Sequence, residues 1–137
     1  MTGMSNVSSI ALSGLSAASL RLQVSANNVA NAYSAGPLPG SPASGNYPAP
    51  YVPERVDQVD LAGGGTSATI NAVSPATVTT YDPTAPYADS NGMVAMPNVD
   101  FANEAVQQLM ARISFAANVM VLKTDAQMMK SLLDIKV

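Results

Sequence analysis

The chain has 137 residues, enough for one domain or for one domain with extended arms. Six Lys and Arg against nine Asp and Glu give a net charge of −3, which argues against a nucleic-acid binder, because a phosphate backbone needs a basic face. The chain has no histidine or cysteine, which removes disulfides, thiol nucleophiles, imidazole bases and the usual zinc ligands, while leaving the compartment open. Charged residues are 11% of the chain and apolar ones 47%, so much small apolar surface carries little charge; that suits a subunit covered by copies or partners.

Residues 1–20 lack the basic start and solid apolar core of a cleaved export signal. No stretch reaches the roughly 20 apolar residues expected of a membrane span. All ten prolines lie between Pro37 and Pro97, and outside residues 36–97 the only glycines are Gly3 and Gly14. Two helix-permissive arms therefore flank a turn-rich middle.

The N-terminal arm is predicted as a helix from Ser5 to Ala32, with Ser5 or Asn6 as N-cap. At 100° per residue Val7, Ala11, Leu15, Ala18, Leu22, Ala26 and Val29 share one side. Ile10, Ala17, Leu20 and Val24 share nearly the opposite one. Two apolar stripes predict more than one neighbour. Asn27, Asn28 and Asn31 are poor helix formers near its end. They read either as a solvated, fraying terminus or as amides that hydrogen-bond across a helix interface and fix its register.

Residues 33–50 are uncharged and rich in Pro, Gly, Ser and Ala, an extended linker or arm. Residues 51–61 and 66–81, split by Gly63-Gly64-Gly65, predict a hairpin or two short strands. Asp82 through Pro97 reads as a string of turns. Asp89-Ser90-Asn91-Gly92 has part of the look of a calcium loop but lacks its closing Glu and flanking helices, so a tight turn is favoured. Asp57 and Asp60 could form a carboxylate pair, but no companion base accompanies them and solvated strand-edge charges fit better. The three glycines open no helix, as a phosphate loop requires. Serine activated by Lys123, Lys130 or Lys136 is conceivable chemistry, but those lysines fall on a coiled-coil helix, which argues against an enzyme.

The C-terminal arm is predicted as a helix from Asp100 to Lys136, about 55 Å long at roughly 1.5 Å per residue, capped by Asn98 or Asp100. Two heptad seams run along it. Ala102, Val106, Leu109, Ile113, Ala116 and Met120 form the first; Phe115, Val119, Leu122, Ala126, Met129 and Leu133 form the second on a shifted face. The 4-3 spacing is a coiled-coil signature, and the change of face predicts different partners for the two halves. Met110, Met120, Met128 and Met129 add adaptable packing atoms.

Ser13-Gly14-Leu15-Ser16-Ala17-Ala18 and Ser25-Ala26-Asn27-Asn28-Val29-Ala30-Asn31-Ala32 resemble the N-terminal signature of bacterial flagellar axial proteins, the family of rod, hook and hook-associated subunits. Tyr81-Asp82-Pro83, Asp89-Ser90-Asn91-Gly92 and Val94-Ala95-Met96-Pro97-Asn98-Val99 resemble the segment before the C-terminal helix in the proximal rod members of that family. Ala117-Asn118-Val119, Leu122-Lys123-Thr124 and Met128-Met129 resemble their C-terminal helix.

The resemblance implies a mainly α fold: long terminal helices pairing as a coiled-coil-like hairpin, and a Pro/Gly-rich middle with a small β-hairpin and extended loops. It implies terminal helices at 1–32 and 99–137 forming an inner tube around the export channel, with 33–98 outside. It implies a structural subunit of a periplasmic drive shaft, exported unfolded without a cleaved signal, with no catalytic residue, metal or cofactor. The implied partners are copies of itself, other rod subunits, an adaptor with the membrane ring, and the flagellar type III export apparatus, with no nucleic acid or small-molecule substrate. The expected assembly residues are Leu15, Ala18, Leu20, Leu22, Val24, Ala26, Asn27, Asn28, Val29 and Asn31 on the first helix. On the second they are Val106, Leu109, Ile113, Phe115, Val119, Leu122, Met129 and Leu133. Ordering about 65 arm residues costs roughly 1–2 kcal/mol each, which predicts fraying before assembly. A distal rod or hook-junction subunit, and a coiled-coil adaptor or export chaperone, are the alternatives.

Overall fold

The computed structural model describes residues 2–135, with the side chains of residues 2–5 and Ser44 excepted. Two long helices bracket four short strands: α1 (Thr2–Ala30), β1 (Glu54–Asp60), β2 (Thr66–Ala72), β3 (Thr77–Tyr81), β4 (Met93–Pro97) and α2 (Phe101–Asp134). A short 3-10 helix, Pro42–Gly45, interrupts the proline-rich segment. The strands form two separate two-stranded sheets, β1–β2 and β3–β4.

α1 starts three residues before the expected Ser5, so neither Ser5 nor Asn6 caps it. Nothing in Thr2-Gly3-Met4 forbids helix, and one glycine costs only about 1 kcal/mol. Asp100 caps α2, its Oδ1 accepting from the amides of Ala102 (2.9 Å) and Asn103 (3.2 Å). The alternative cap, Asn98, instead donates to the Pro75 carbonyl. Lys136, the expected end of this helix, lies outside the described residues.

The chain divides into two compact units. One comprises residues 1–23, 56–69 and 106–137. Here the outer half of the β1–β2 hairpin lies along α1: Arg21 donates to Gln58 (3.1 Å), and the Thr66 amide donates to the Ser13 hydroxyl (3.1 Å). The hairpin tip closes through Gly64 and Gly65, with φ of 88° and 86°. Left-handed backbone favours glycine, which explains Gly64 and Gly65 in that run.

The other unit comprises residues 24–55 and 70–105. β3 and β4 pair antiparallel, with Thr77 opposite Pro97 and Tyr81 opposite Met93. Gly36 and Ala95 exchange two backbone hydrogen bonds of 2.9 Å, and Val94 and Ala95 are buried there. The turns expected over 82–97 therefore end in a strand, β4. Its five residues close on Pro97 and are too short to show a period, and cross-strand pairing with β3 decides the conformation. Asp89 does form a tight turn, its Oδ1 accepting from the amides of Asn91 (2.9 Å) and Met93 (2.8 Å).

Candidate assembly surface

Within the first unit α1 and α2 run antiparallel and meet through small and polar residues. Ser8 donates to Asp125 Oδ2 at 2.5 Å. Asn118 lies over Gly14, where an added Cβ would stand 2.7 Å from the Asn118 amide atoms. Ala11, Ala17, Ala18 and Ala111 are buried. Asp125 is 2% exposed, and its Oδ1 has no hydrogen-bond partner among the described residues.

The second unit holds a polar knot on Asn28, which is 1% exposed. Its amide nitrogen donates to the Glu54 carbonyl and to Glu104 Oε1, both at 2.7 Å. Its Oδ1 accepts from the Tyr51 hydroxyl and the Glu54 amide, both at 3.0 Å. All the bonding capacity of one side-chain amide is used. Ser25 adds a bond to the Glu104 carbonyl at 3.2 Å. Burial, then the Glu54 and Glu104 carboxylates, push the Tyr51 hydroxyl above the usual tyrosine pKa.

The large apolar side chains lie elsewhere. Val106, Leu109, Ile113, Phe115, Val119, Met129 and Leu133 are all exposed, Ile113 at 62% and Leu133 at 69%. Leu122 is half-buried. On α1 Ala18 and Val24 are buried, Leu15, Leu20 and Val29 half-buried, and Leu22, Ala26 and Asn27 exposed. Asn31, half-buried just past the end of α1, donates to the Asn27 carbonyl. The inward face of α2 is thus a third line spaced by seven, with Ala111 and Asp125 buried and Glu104 and Asn118 half-buried. The apolar-seam reading missed it because it contains one small residue and three polar ones. The heptad interval itself was available in the sequence.

The other candidates are scattered. Asp57 and Asp60 lie on β1, with Asp60 exposed, and Lys123 and Lys130 lie exposed on α2. Among the described residues no three Asp or Glu side chains come together as a metal cluster would require. Against the sequence expectation, α2 is long and apolar enough to cross a membrane by length and composition, with only 6% of its most apolar window buried. The expectation failed because it sought an unbroken apolar run, whereas mean hydropathy stays high across Gln107, Gln108, Arg112 and Asn118.

Comparison with known proteins gives this exposed apolar helix a context. The family model described as "Flagella basal body rod protein" matches residues 9–37. The flagellar basal-body rod protein FlgC of Salmonella typhimurium is 40% identical over 126 residues, covering 90% of this chain and 91% of that protein. FlgC of Escherichia coli O157:H7 is 40% identical over 130 residues, with the same coverage. FlgC of Agrobacterium fabrum is 33% identical over 141 residues, covering 98% of this chain and 96% of that protein.

Proposed function

The chain belongs to the FlgC family of flagellar basal-body rod proteins, and from that premise we propose that it is a structural subunit of the proximal rod. Its terminal segments, 1–32 and 99–137, pack through α1 and α2 against neighbours as coiled-coil-like elements of a hollow inner tube, and residues 33–98 form the outer layer. The tube encloses the export channel and transmits torque. The chain reaches the periplasm through the flagellar export apparatus without a cleaved signal. It assembles there with copies of itself, other rod subunits and the adaptor on the membrane ring. The relatives are named as rod proteins, not enzymes, which supports a role without catalysis.

One observation carries this reading: α2 buries a line of small and polar residues and leaves Leu109, Ile113, Phe115, Val119 and Leu133 outside. Exposed apolar area at this density marks an interaction surface, and burial in a polymer contributes about 25 cal/mol per Å². The test is deletion of the gene, complementation, and electron cryotomography of the cell envelope. Basal rings without a rod, restored by the wild-type gene, are expected. Intact rods and hooks in the deletion strain would refute the proposal.

A further inference from the structure

Between α1 and α2 in the first unit lies a groove of about 690 Å³. Ala18 and Leu22 of α1 line it from one side, and Leu109, Arg112, Ile113 and Phe115 of α2 from the other. Ala18 and Ala111 are buried and its large apolar side chains are exposed, so a small-residue floor stands between bulky rims. That shape accepts the ridge of a helix.

Arg112 is the one charged group in this wall. It is exposed, and it has no hydrogen bond or ion pair among the described residues. A guanidinium keeps its charge at every physiological pH. Covering the groove with a purely apolar surface would strip water from that charge without replacement, which is costly unless an anion is supplied. We propose that the groove receives an apolar helix carrying one carboxylate that pairs with Arg112, contributed by a rod subunit other than this chain. The proposal rests on the rod-subunit reading and names the chemistry of one of its contacts.

The chain's own residues argue against a second copy as occupant. α1 contains no Asp or Glu. On α2, Glu104 is held by Asn28 and Asp125 is buried. The remaining acid, Asp134, is the last residue of α2, so a copy would bring a helix end to Arg112 instead of a continuous face.

The test places the photo-crosslinking amino acid p-benzoylphenylalanine at position 113 or 115, irradiates living cells, purifies basal bodies and identifies linked peptides by mass spectrometry. A cross-link to a helical segment of a different rod protein, with Asp or Glu within one turn of the linked residue, supports the proposal. Cross-linking to a second copy overturns it, as does the absence of any cross-link from a chain recovered in the basal bodies. Absence of the chain from purified basal bodies overturns the rod-subunit reading as well.

Substitution gives the second arm. Arg112→Glu sets like charges together and should weaken the contact about a hundredfold, abolishing flagellation, while Arg112→Lys retains it. Reversing the partner's carboxylate should rescue Arg112→Glu. Arg112 is exposed and unpaired, so hydrogen exchange of the free variant should match wild type. Normal flagellation of the Arg112→Glu strain would overturn the proposal.

Discussion

Replacing Asn28 with alanine should open the second unit while leaving the first intact. The truncation removes two donated bonds of 2.7 Å and two accepted bonds of 3.0 Å. It strands the Glu54 amide and carbonyl at a site where Asn28 itself is 1% exposed. Each such bond is worth about 0.5–1.5 kcal/mol and each buried orphan costs about 1–3 kcal/mol, so with partial rewetting the loss is about 3–5 kcal/mol. That is a large share of the roughly 5–15 kcal/mol that holds a small domain together. The assay is amide hydrogen exchange of the free chain, read by mass spectrometry. Peptides spanning β3 and β4 should exchange roughly a hundred- to several-thousandfold faster in Asn28→Ala, while those from 106–134 keep wild-type rates. Asn28→Asp sharpens the test. It keeps the acceptor but loses both donated bonds and sets a carboxylate against Glu104, so it should open the unit at least as far as Asn28→Ala. Wild-type protection of β3–β4 in Asn28→Ala would refute the knot as the element that holds this unit.

Tyr51 offers a pH prediction with a fixed sign. Its pKa is raised from 10.0, so the native state holds the proton longer than the unfolded state, and stability should fall as pH climbs past 10. Tyr51→Phe should cost about 1 kcal/mol at neutral pH, from one lost hydrogen bond, and should flatten that alkaline decline in a pH series of exchange measurements. Leu109→Asp separates folding from assembly. Leu109 is exposed in the free chain, so its exchange pattern should hardly change, yet rods should be absent by cryotomography; normal rods would exclude Leu109 from a buried contact. Asp125→Ala removes the acceptor of the Ser8 hydroxyl at a buried site. It should lower the thermal midpoint of the free chain, and an unchanged midpoint would show that the contact contributes nothing to stability.

Proline and glycine placement made the two helices and the turn-rich middle readable, because both residues act through local backbone sterics. The β1–β2 hairpin was visible for the same reason, through its glycine tip. β4 was not, since five residues ending in proline take strand form only against β3. The candidate site divided in a similar way. The bulky residues of α2 stood out as heptad seams, but hydrophobic periodicity cannot tell a face buried within the subunit from one left outside it. Glu104, Asn118 and Asp125 were passed over because polar residues at helical spacing normally mark the solvated face. Asn28 was singled out as a poor helix former, but its partners Tyr51, Glu54 and Glu104 are 23 to 76 residues away in sequence and become neighbours only in the fold.

A seam of small and polar residues contributes less burial than leucine would, but it fixes register more sharply. In the first unit Ser8 meets Asp125 and Gly14 meets Asn118. Sliding α1 by one heptad in one direction sets Leu15 against Asp125 and Arg21 against Asn118. Sliding it the other way sets Val7 against Asn118 and crowds that amide against a β-branched side chain. Either slip buries a polar group without its partner, at a cost of about 1–3 kcal/mol for each orphan. A leucine seam would tolerate such slips, because one apolar contact replaces another, and single polar positions are what set register in coiled coils. Using leucine and isoleucine to close α1 on α2 would also remove them from the outer surface. Placing register control inside and apolar area outside lets the helices find one alignment while keeping the surface that a neighbour must cover.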